Sequence, residues 1–154
     1  MKTIFFFTAM LCMSMVFSQD QNTLRQKQFN VGSKQIGIEG YDPVAYFTEG
    51  KAKEGRSSIS VYYAGITYYF ITVANKELFK KNPAQYEPQY GGWCAYAMGN
   101  DGSKVEVDPE TFKIINGKLY LFYNKYFTNT LKSWNKKEAL LMKNADANWS
   151  KFYH

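Results

Sequence analysis

The dipeptide Asn116-Gly117 most constrains what this chain can fold into, because it separates two apolar runs at the spacing of a β-hairpin. Asn-Gly tolerates the positive φ that both central positions of a type I′ turn require. A second hairpin is predicted over residues 57–71, where alternating side chains lead into the turn Ala64-Gly65 and a second apolar run leads back. The patterns predict an α+β fold, in which a small antiparallel sheet of two β-hairpins has short flanking helices and a C-terminal helical segment.

Helix boundaries are indicated by capping residues and prolines. Asp42 followed by Pro43 predicts the start of a short helix. Thr72 is placed to cap a helix that ends before Pro83. Beyond Asn124 the apolar period becomes helical, and no internal repeat is evident in the sequence. The residues predicted to share that last helical face are Phe127, Leu131 and Trp134.

The N-terminus has the organisation of a secretory signal. Lys2 precedes an apolar stretch over residues 4–17, and small residues suit cleavage after Ser18. An uncleaved anchor is the alternative. We expect a signal peptide over residues 1–18, a flexible N-terminal arm over 19–34 and one domain over 35–154, in a periplasmic or extracellular protein. No later apolar run is long enough to cross a bilayer, so no membrane span is expected in the mature chain.

The formal net charge of +6 raises the question of nucleic-acid binding. The lysines are scattered along the chain, and only Arg25 and Arg56 offer the planar guanidinium that binds phosphate with two hydrogen bonds. This distribution argues against a nucleic-acid partner and predicts only a weak attraction to anionic surfaces.

Cys94 is the one cysteine that remains if the signal, which holds Cys12, is removed. An exported protein normally uses cysteines for disulfides, and a single thiol cannot form one internally. One interpretation is structural, since free cysteine is often buried as a small hydrophobe. The other is functional, because Gly91-Gly92 precedes the thiol, and a helix starting near Trp93 would favour the thiolate.

Two kinds of functional thiol are possible. As a redox nucleophile, Cys94 would need a second thiol from a protein or small-molecule partner. As a ligand for a soft metal such as copper, it would use Met98 one helical turn away, with Met142 or His154 as distant candidates. Methionine at that spacing is more often core filler, and the single terminal histidine provides no convincing catalytic base.

Aromatic and acidic residues near the thiol are candidates for lining a binding pocket. Tyrosine and tryptophan combine a large apolar ring with a hydrogen-bonding group, although such residues usually serve in packing. Asp42 could act as a general acid or base, or could simply cap its helix. The candidate pocket residues are Tyr41, Asp42, Tyr90 and Trp93.

The order of these motifs resembles that of the YHS domain family. The matching segments are Asp42-Pro43-Val44, the hairpin around Tyr63-Ala64-Gly65, and Phe79, Pro83 and Tyr86. The longer pattern, with the Tyr90-Gly91-Gly92 turn, resembles the exported bacterial branch of that family and spans nearly the whole mature chain.

The resemblance implies a function for the Cys94 thiol, but the metal site of the family does not carry over to this sequence. Family members associated with metal pumps use three cysteines, at positions that are Ala45, Ile71 and Asn75 in this sequence. In the exported branch one cysteine follows the Tyr-Gly-Gly turn, and some relatives are described as carrying selenocysteine there. The resemblance implies an exported binding module with a single functional thiol for redox or soft-metal chemistry. The alternatives are a thiol-dependent oxidoreductase or peroxidase-type enzyme, and a structural interaction domain with no chemistry.

Overall fold

A computed structural model describes residues 20–153 of the protein. The signal-peptide prediction, Cys12 and His154 lie outside the described residues. The helices are α1 (20–28), α2 (Ala45–Thr48), α3 (Val73–Lys81), α4 (Pro83–Tyr86), α5 (Ala95–Asn100), α6 (Thr130–Trp134) and α7 (Glu138–Ser150). The strands are β1 (Arg56–Tyr63), β2 (Ile66–Phe70), β3 (Asp108–Ile115), β4 (Lys118–Phe122), β5 (Asn124–Lys125) and β6 (Thr128–Asn129). Turns of 3₁₀ type occupy Gly37–Gly40, Gln89–Gly92 and Lys151–Tyr153.

The α+β class is confirmed, and both predicted hairpins form. β1 pairs with β2 and β3 with β4, all antiparallel, but each pair is a separate two-stranded sheet. Asn116 and Gly117 have φ of 51° and 72°, as the turn requires. The hydroxyl oxygen of Thr72 accepts a hydrogen bond from the Asn75 peptide nitrogen at 3.0 Å, which confirms the predicted cap of α3.

The two hairpins belong to two copies of one backbone unit. Arg56 pairs with Phe70 in the first copy and Asp108 with Phe122 in the second, so equivalent positions lie 52 residues apart. Each copy has an irregularity at the same place in its longer strand. The left-handed turn before each unit also repeats, because Gly37–Gly40 and Gln89–Gly92 contain consecutive residues with positive φ.

Backbone hydrogen bonds repeat at the same offset. The Asp42 peptide nitrogen donates to the Lys53 carbonyl at 2.8 Å, and the Cys94 nitrogen donates to the Val105 carbonyl at 2.9 Å. The parallel bridge from Ile36 to Thr67 has its counterpart 52 residues later. The backbone therefore contains an internal repeat that is not evident in the sequence.

Sequence identity between the copies is too sparse to show the repeat. Residues 36–71 and 88–123 share mainly the glycines of turns and two buried rings. The identical pairs are Gly40 and Gly92, Ala45 and Ala97, Gly50 and Gly102, Glu54 and Glu106, Gly65 and Gly117, Tyr68 and Tyr120, and Phe70 and Phe122.

In each copy the second strand packs against a large ring from the helix that follows the hairpin. In the first copy Phe79 of α3 lies 4.8 Å from the Tyr68 ring and 5.3 Å from the Phe70 ring, measured between centroids. In the second copy Trp134 of α6 lies 5.9 Å from the Tyr120 ring and 5.5 Å from the Phe122 ring. Phe79 and Trp134 are both fully buried, so each copy builds its own part of the core in the same way.

The copies differ in the segment immediately after the hairpin. In the first copy Thr72 leads directly into α3, whereas in the second the short hairpin β5–β6 precedes α6. The helical period predicted to begin at Phe127 is therefore wrong at its start. Phe127 lies at the tip of this hairpin and is fully exposed, and only Leu131 and Trp134 of the predicted face are helical.

The segment predicted to be a flexible arm packs against both copies. Phe29 and Val31 are buried in the core of the first copy. Arg25 of α1 donates from Nε to the Ala64 carbonyl at 3.0 Å and forms an ion pair with Glu87. Residues 20–34 are therefore part of the packed domain, because their apolar side chains find core positions that their polar composition concealed.

Candidate functional site: a buried thiol

Cys94 lies between the Gln89–Gly92 turn and α5. Gly91 and Gly92 both have positive φ, and the turn directs the chain so that Cys94 takes the N-cap position of α5. Its side chain is 0% exposed and packs among apolar residues that include Tyr46 and Leu119. A reagent in solvent therefore has no direct contact with the thiol.

Three groups form a closed ring of hydrogen bonds around the sulfur. The Tyr123 peptide nitrogen donates to Cys94 Sγ at 3.4 Å, and Thr130 Oγ1 lies 3.4 Å from the same sulfur. Thr130 Oγ1 also donates to the Tyr123 carbonyl at 2.9 Å. Because a hydroxyl has one proton, the thiol S–H is the donor to Thr130. The ring thus satisfies a protonated thiol completely.

The same ring can accommodate a thiolate. The Thr130 peptide nitrogen donates to the Tyr123 carbonyl at 3.0 Å, so that carbonyl keeps a partner if the hydroxyl turns away. Rotation of the Thr130 hydroxyl toward Sγ would then give the thiolate two donors, the hydroxyl and the Tyr123 N–H. Neither form of Cys94 leaves a buried polar group without a partner.

The ring lies at the base of the β5–β6 hairpin. Tyr123 immediately precedes this hairpin and Thr130 immediately succeeds it. Any opening of the hairpin that separates these two residues also breaks the ring. The hydrogen bonds of the thiol are therefore coupled to one short segment that the first copy of the unit lacks.

Asp42 occupies the position in the first copy that Cys94 occupies in the second. It is fully buried, and it accepts hydrogen bonds from the peptide nitrogens of Val44 at 2.8 Å, Ala45 at 3.3 Å and Ile71 at 2.9 Å. Asn75 Nδ2 donates to it at 2.8 Å. Asp42 thus binds the peptide nitrogens of the turn that leads into α2, but the N-cap residue of that helix is Val44 and not Asp42 as predicted. The carboxyl group is enclosed by its donors.

The remaining candidate pocket residues have separate partners. Tyr90 donates its hydroxyl to Asp146 at 2.9 Å, and it lines an open groove of about 280 Å³. Trp93 donates from Nε1 to the Gln28 carbonyl of α1 at 2.7 Å. Tyr41 packs against the cluster that holds Cys94 and is half-buried. Its pKa is raised by desolvation and by nearby carboxylates, of which Glu110 has the largest effect.

The hydrogen-bond partners of Cys94 Sγ include no soft metal ligand. Met98 is fully buried, but its side chain packs in the cluster around Trp134, whereas Cys94 packs in another. The immediate partners of Sγ are a hydroxyl and a peptide N–H. Within residues 20–153 no group of three or more histidine, cysteine, aspartate or glutamate side chains is placed to hold a metal ion.

Sequence reasoning did not identify Thr130 or Tyr123 as partners of the thiol. A threonine hydroxyl and a peptide group have no distinctive sequence signature, and both are 29 or more residues from Cys94. The one available signal was the 52-residue offset, since it aligns Cys94 with Asp42 and Tyr123 with Ile71.

Comparisons of the chain with protein-family models, curated proteins and solved structures found no match. Among the described residues, no helix is long and apolar enough to cross a membrane. Function is therefore inferred from the chemistry and surroundings of Cys94.

Proposed function

We propose that the protein is an exported YHS-type binding module in which Cys94 is a gated thiol, used by a partner outside the cytoplasm. The supporting observation is the hydrogen-bonded ring of Tyr123, Cys94 and Thr130 at the base of the β5–β6 hairpin. The ring has donors and acceptors for both protonation states of the sulfur, and two of its members, Tyr123 and Thr130, directly flank the β5–β6 hairpin. These are the properties expected of a thiol that is protected at rest and exposed on demand.

Redox chemistry is better supported than metal binding. Thiol exchange requires only the Cys94 sulfur and a second thiol from a partner. A soft metal would need a second soft ligand, and the side chain of Met98 packs in a different cluster. Residues 20–153 contain no second cysteine, so a partner thiol would come from another protein or a small molecule.

A structural interaction domain is the second candidate. The equivalence of Cys94 with Asp42 favours it, because Asp42 has the complete set of partners of a structural anchor. In that case Cys94 holds its hairpin as Asp42 does, but with fewer hydrogen bonds. The thiol then does not react with a reagent while the protein is folded.

Thiol labelling separates the two candidates. Full-length protein with Cys12→Ser is treated with an excess of a thiol reagent, and the labelling rate is compared with the rate of global unfolding. A gated thiol is labelled faster than the protein unfolds, with a rate that reaches a plateau set by hairpin opening. Thr130→Val, which removes the S–H acceptor, should raise that rate several-fold.

Thr128→Val is the matched control, because Thr128 is an exposed threonine of the same hairpin, in strand β6. It should leave labelling unchanged. A labelling rate equal to the global unfolding rate in every variant would contradict gating and support the structural role.

A further inference from the structure

The tip of the β5–β6 hairpin presents two aromatic rings to solvent. Tyr126 is 87% exposed and Phe127 is 112% exposed. Both have positive φ, 51° and 66°, which residues other than glycine rarely adopt. The other two hairpin turns place Gly65 and Gly117 at the second of these positions. The tip thus has Phe127 where the other two hairpin turns have glycine, and Tyr126 where they have Ala64 and Asn116.

The first copy of the unit shows that the fold does not require this hairpin. Thr72 there passes directly from strand to helix, and Phe79 still packs under its strand. The exposed rings of β5–β6 make no contribution to the three core clusters. An inserted, conformationally costly and exposed aromatic pair points to a role outside the folded core.

The segment that contains the hairpin and α6 carries charge of one sign in its own sequence. Residues 123–137 include four lysines and no aspartate or glutamate. All four are exposed, and none takes part in the ion pairs found among the described residues. Glu106 lies near the first of them in an open groove. The lysines are Lys125, Lys132, Lys136 and Lys137.

We propose that the β5–β6 hairpin docks the protein on an anionic lipid bilayer. Tyrosine and phenylalanine side chains partition to the boundary between lipid headgroups and acyl chains, and neighbouring lysines are attracted to anionic headgroups. Two rings bury only about 300–500 Å², well below the roughly 800 Å² per partner of a stable protein interface. A bilayer needs no larger complementary surface, because shallow insertion of the rings adds to the attraction of the lysines. This inference does not depend on the reactivity of Cys94.

Hydrogen exchange on the full-length protein tests the proposal locally, so that lipid binding by the apolar N-terminal residues does not mask the result. Exchange at residues 124–129 is measured without vesicles, with phosphatidylglycerol vesicles and with phosphatidylcholine vesicles. We expect slower exchange, by about tenfold, with the anionic vesicles only. The protection should weaken in high salt, because screening removes the lysine contribution.

Two variants complete the test. Tyr126→Ser with Phe127→Ser should abolish the protection, whereas Tyr62→Ser, which removes an aromatic ring that is 64% exposed on β1, should retain it. Equal exchange at the hairpin with and without anionic vesicles would overturn the proposal. Protection that appears without lipid and grows with protein concentration would also overturn it, because the occupant would then be a second copy of the chain.

Discussion

Asp42 and Cys94 hold the same position in two copies of one backbone unit, and each accepts a hydrogen bond from the peptide nitrogen just after its own hairpin. That nitrogen belongs to Ile71 in the first copy and to Tyr123 in the second. The carboxyl group of Asp42 has four donors, whereas Cys94 Sγ has one peptide donor and one hydroxyl neighbour. The first position is an anchor of the fold, and the second is held more weakly.

The two positions should therefore differ in their effect on stability. Asp42→Ala should lower the free energy of unfolding by about 3 kcal/mol or more, because it leaves several buried donors without a partner. Cys94→Ala should cost about 1–2 kcal/mol, from one weak hydrogen-bonded ring and a small cavity. Urea unfolding measures both. The free energy of unfolding of Asp42→Asn, which keeps one acceptor oxygen, should lie between those of the wild type and Asp42→Ala. A larger loss of stability in Cys94→Ala than in Asp42→Ala would contradict this difference between the two positions.

Replacing the aromatic tip by an ordinary turn should stabilise the protein. In Tyr126→Asn with Phe127→Gly, the tip acquires the same dipeptide as Asn116-Gly117, which accepts positive φ with little strain. We expect the free energy of unfolding to rise by about 1–2 kcal/mol. Thermal unfolding tests this, with Tyr62→Asn as a control for loss of an exposed ring. Unchanged or lower stability would show that the tip is not strained.

Gly91 should not tolerate a side chain. A Cβ atom there would lie 2.8 Å from the Trp149 ring and 2.9 Å from the Phe29 ring, and φ is +60°. Gly91→Ala should cost about 3 kcal/mol, from overpacking together with the left-handed backbone. Gly32→Ala is the matched control, because φ is +58° and no atom lies within 4 Å. It should cost only about 1 kcal/mol, and equal losses at both sites in urea unfolding would show that the packing against α7 is unimportant.

Alkaline pH should unfold the protein through its buried tyrosines. Burial, then the hydrogen bond to Asp146, holds the pKa of Tyr90 far above its ordinary 10.0. Burial and Glu87 raise the pKa of Tyr68 in the same way. The folded state therefore keeps these protons when the unfolded state has lost them, so stability is unaffected below about pH 10 and falls as pH rises above it.

The absorbance of tyrosinate and the circular dichroism signal, recorded together, test this dependence. The buried rings should titrate only as the structure is lost. Tyr90→Phe should make stability fall less steeply above about pH 10, and an unchanged slope would indicate that Tyr90 titrates in the folded protein.

Local sequence signals predicted most of the secondary structure. Asn116-Gly117 defined one hairpin, and Thr72 with Pro83 bounded α3, because turn and capping preferences act over a few residues. The β5–β6 hairpin was not predicted, because its tip lacks the residues that normally indicate a turn. Its tip has Tyr126 and Phe127 where a turn normally has asparagine and glycine. The spacing of Phe127 from Leu131 and Trp134 therefore predicted a helix.

The site was predicted only in part. Cys94 was conspicuous as a single thiol, but its partners come from a distant peptide group and an ordinary threonine. The packing of residues 20–34 was also hidden, since Arg25 contacts the turn of the first hairpin and Phe29 contacts Trp149 of α7. Such long-range contacts depend on the arrangement of the copies and not on local composition.

The repeated unit also has an evolutionary consequence. When one backbone design is present twice, the buried carboxyl group of Asp42 can hold its own hairpin while the equivalent atom in the other copy changes. A sulfur atom can then be accepted at position 94 with little loss of stability, and new segments such as β5–β6 can be added beside it. Repetition of the unit thereby separates a position that anchors its hairpin with four hydrogen bonds from one whose side chain is less constrained.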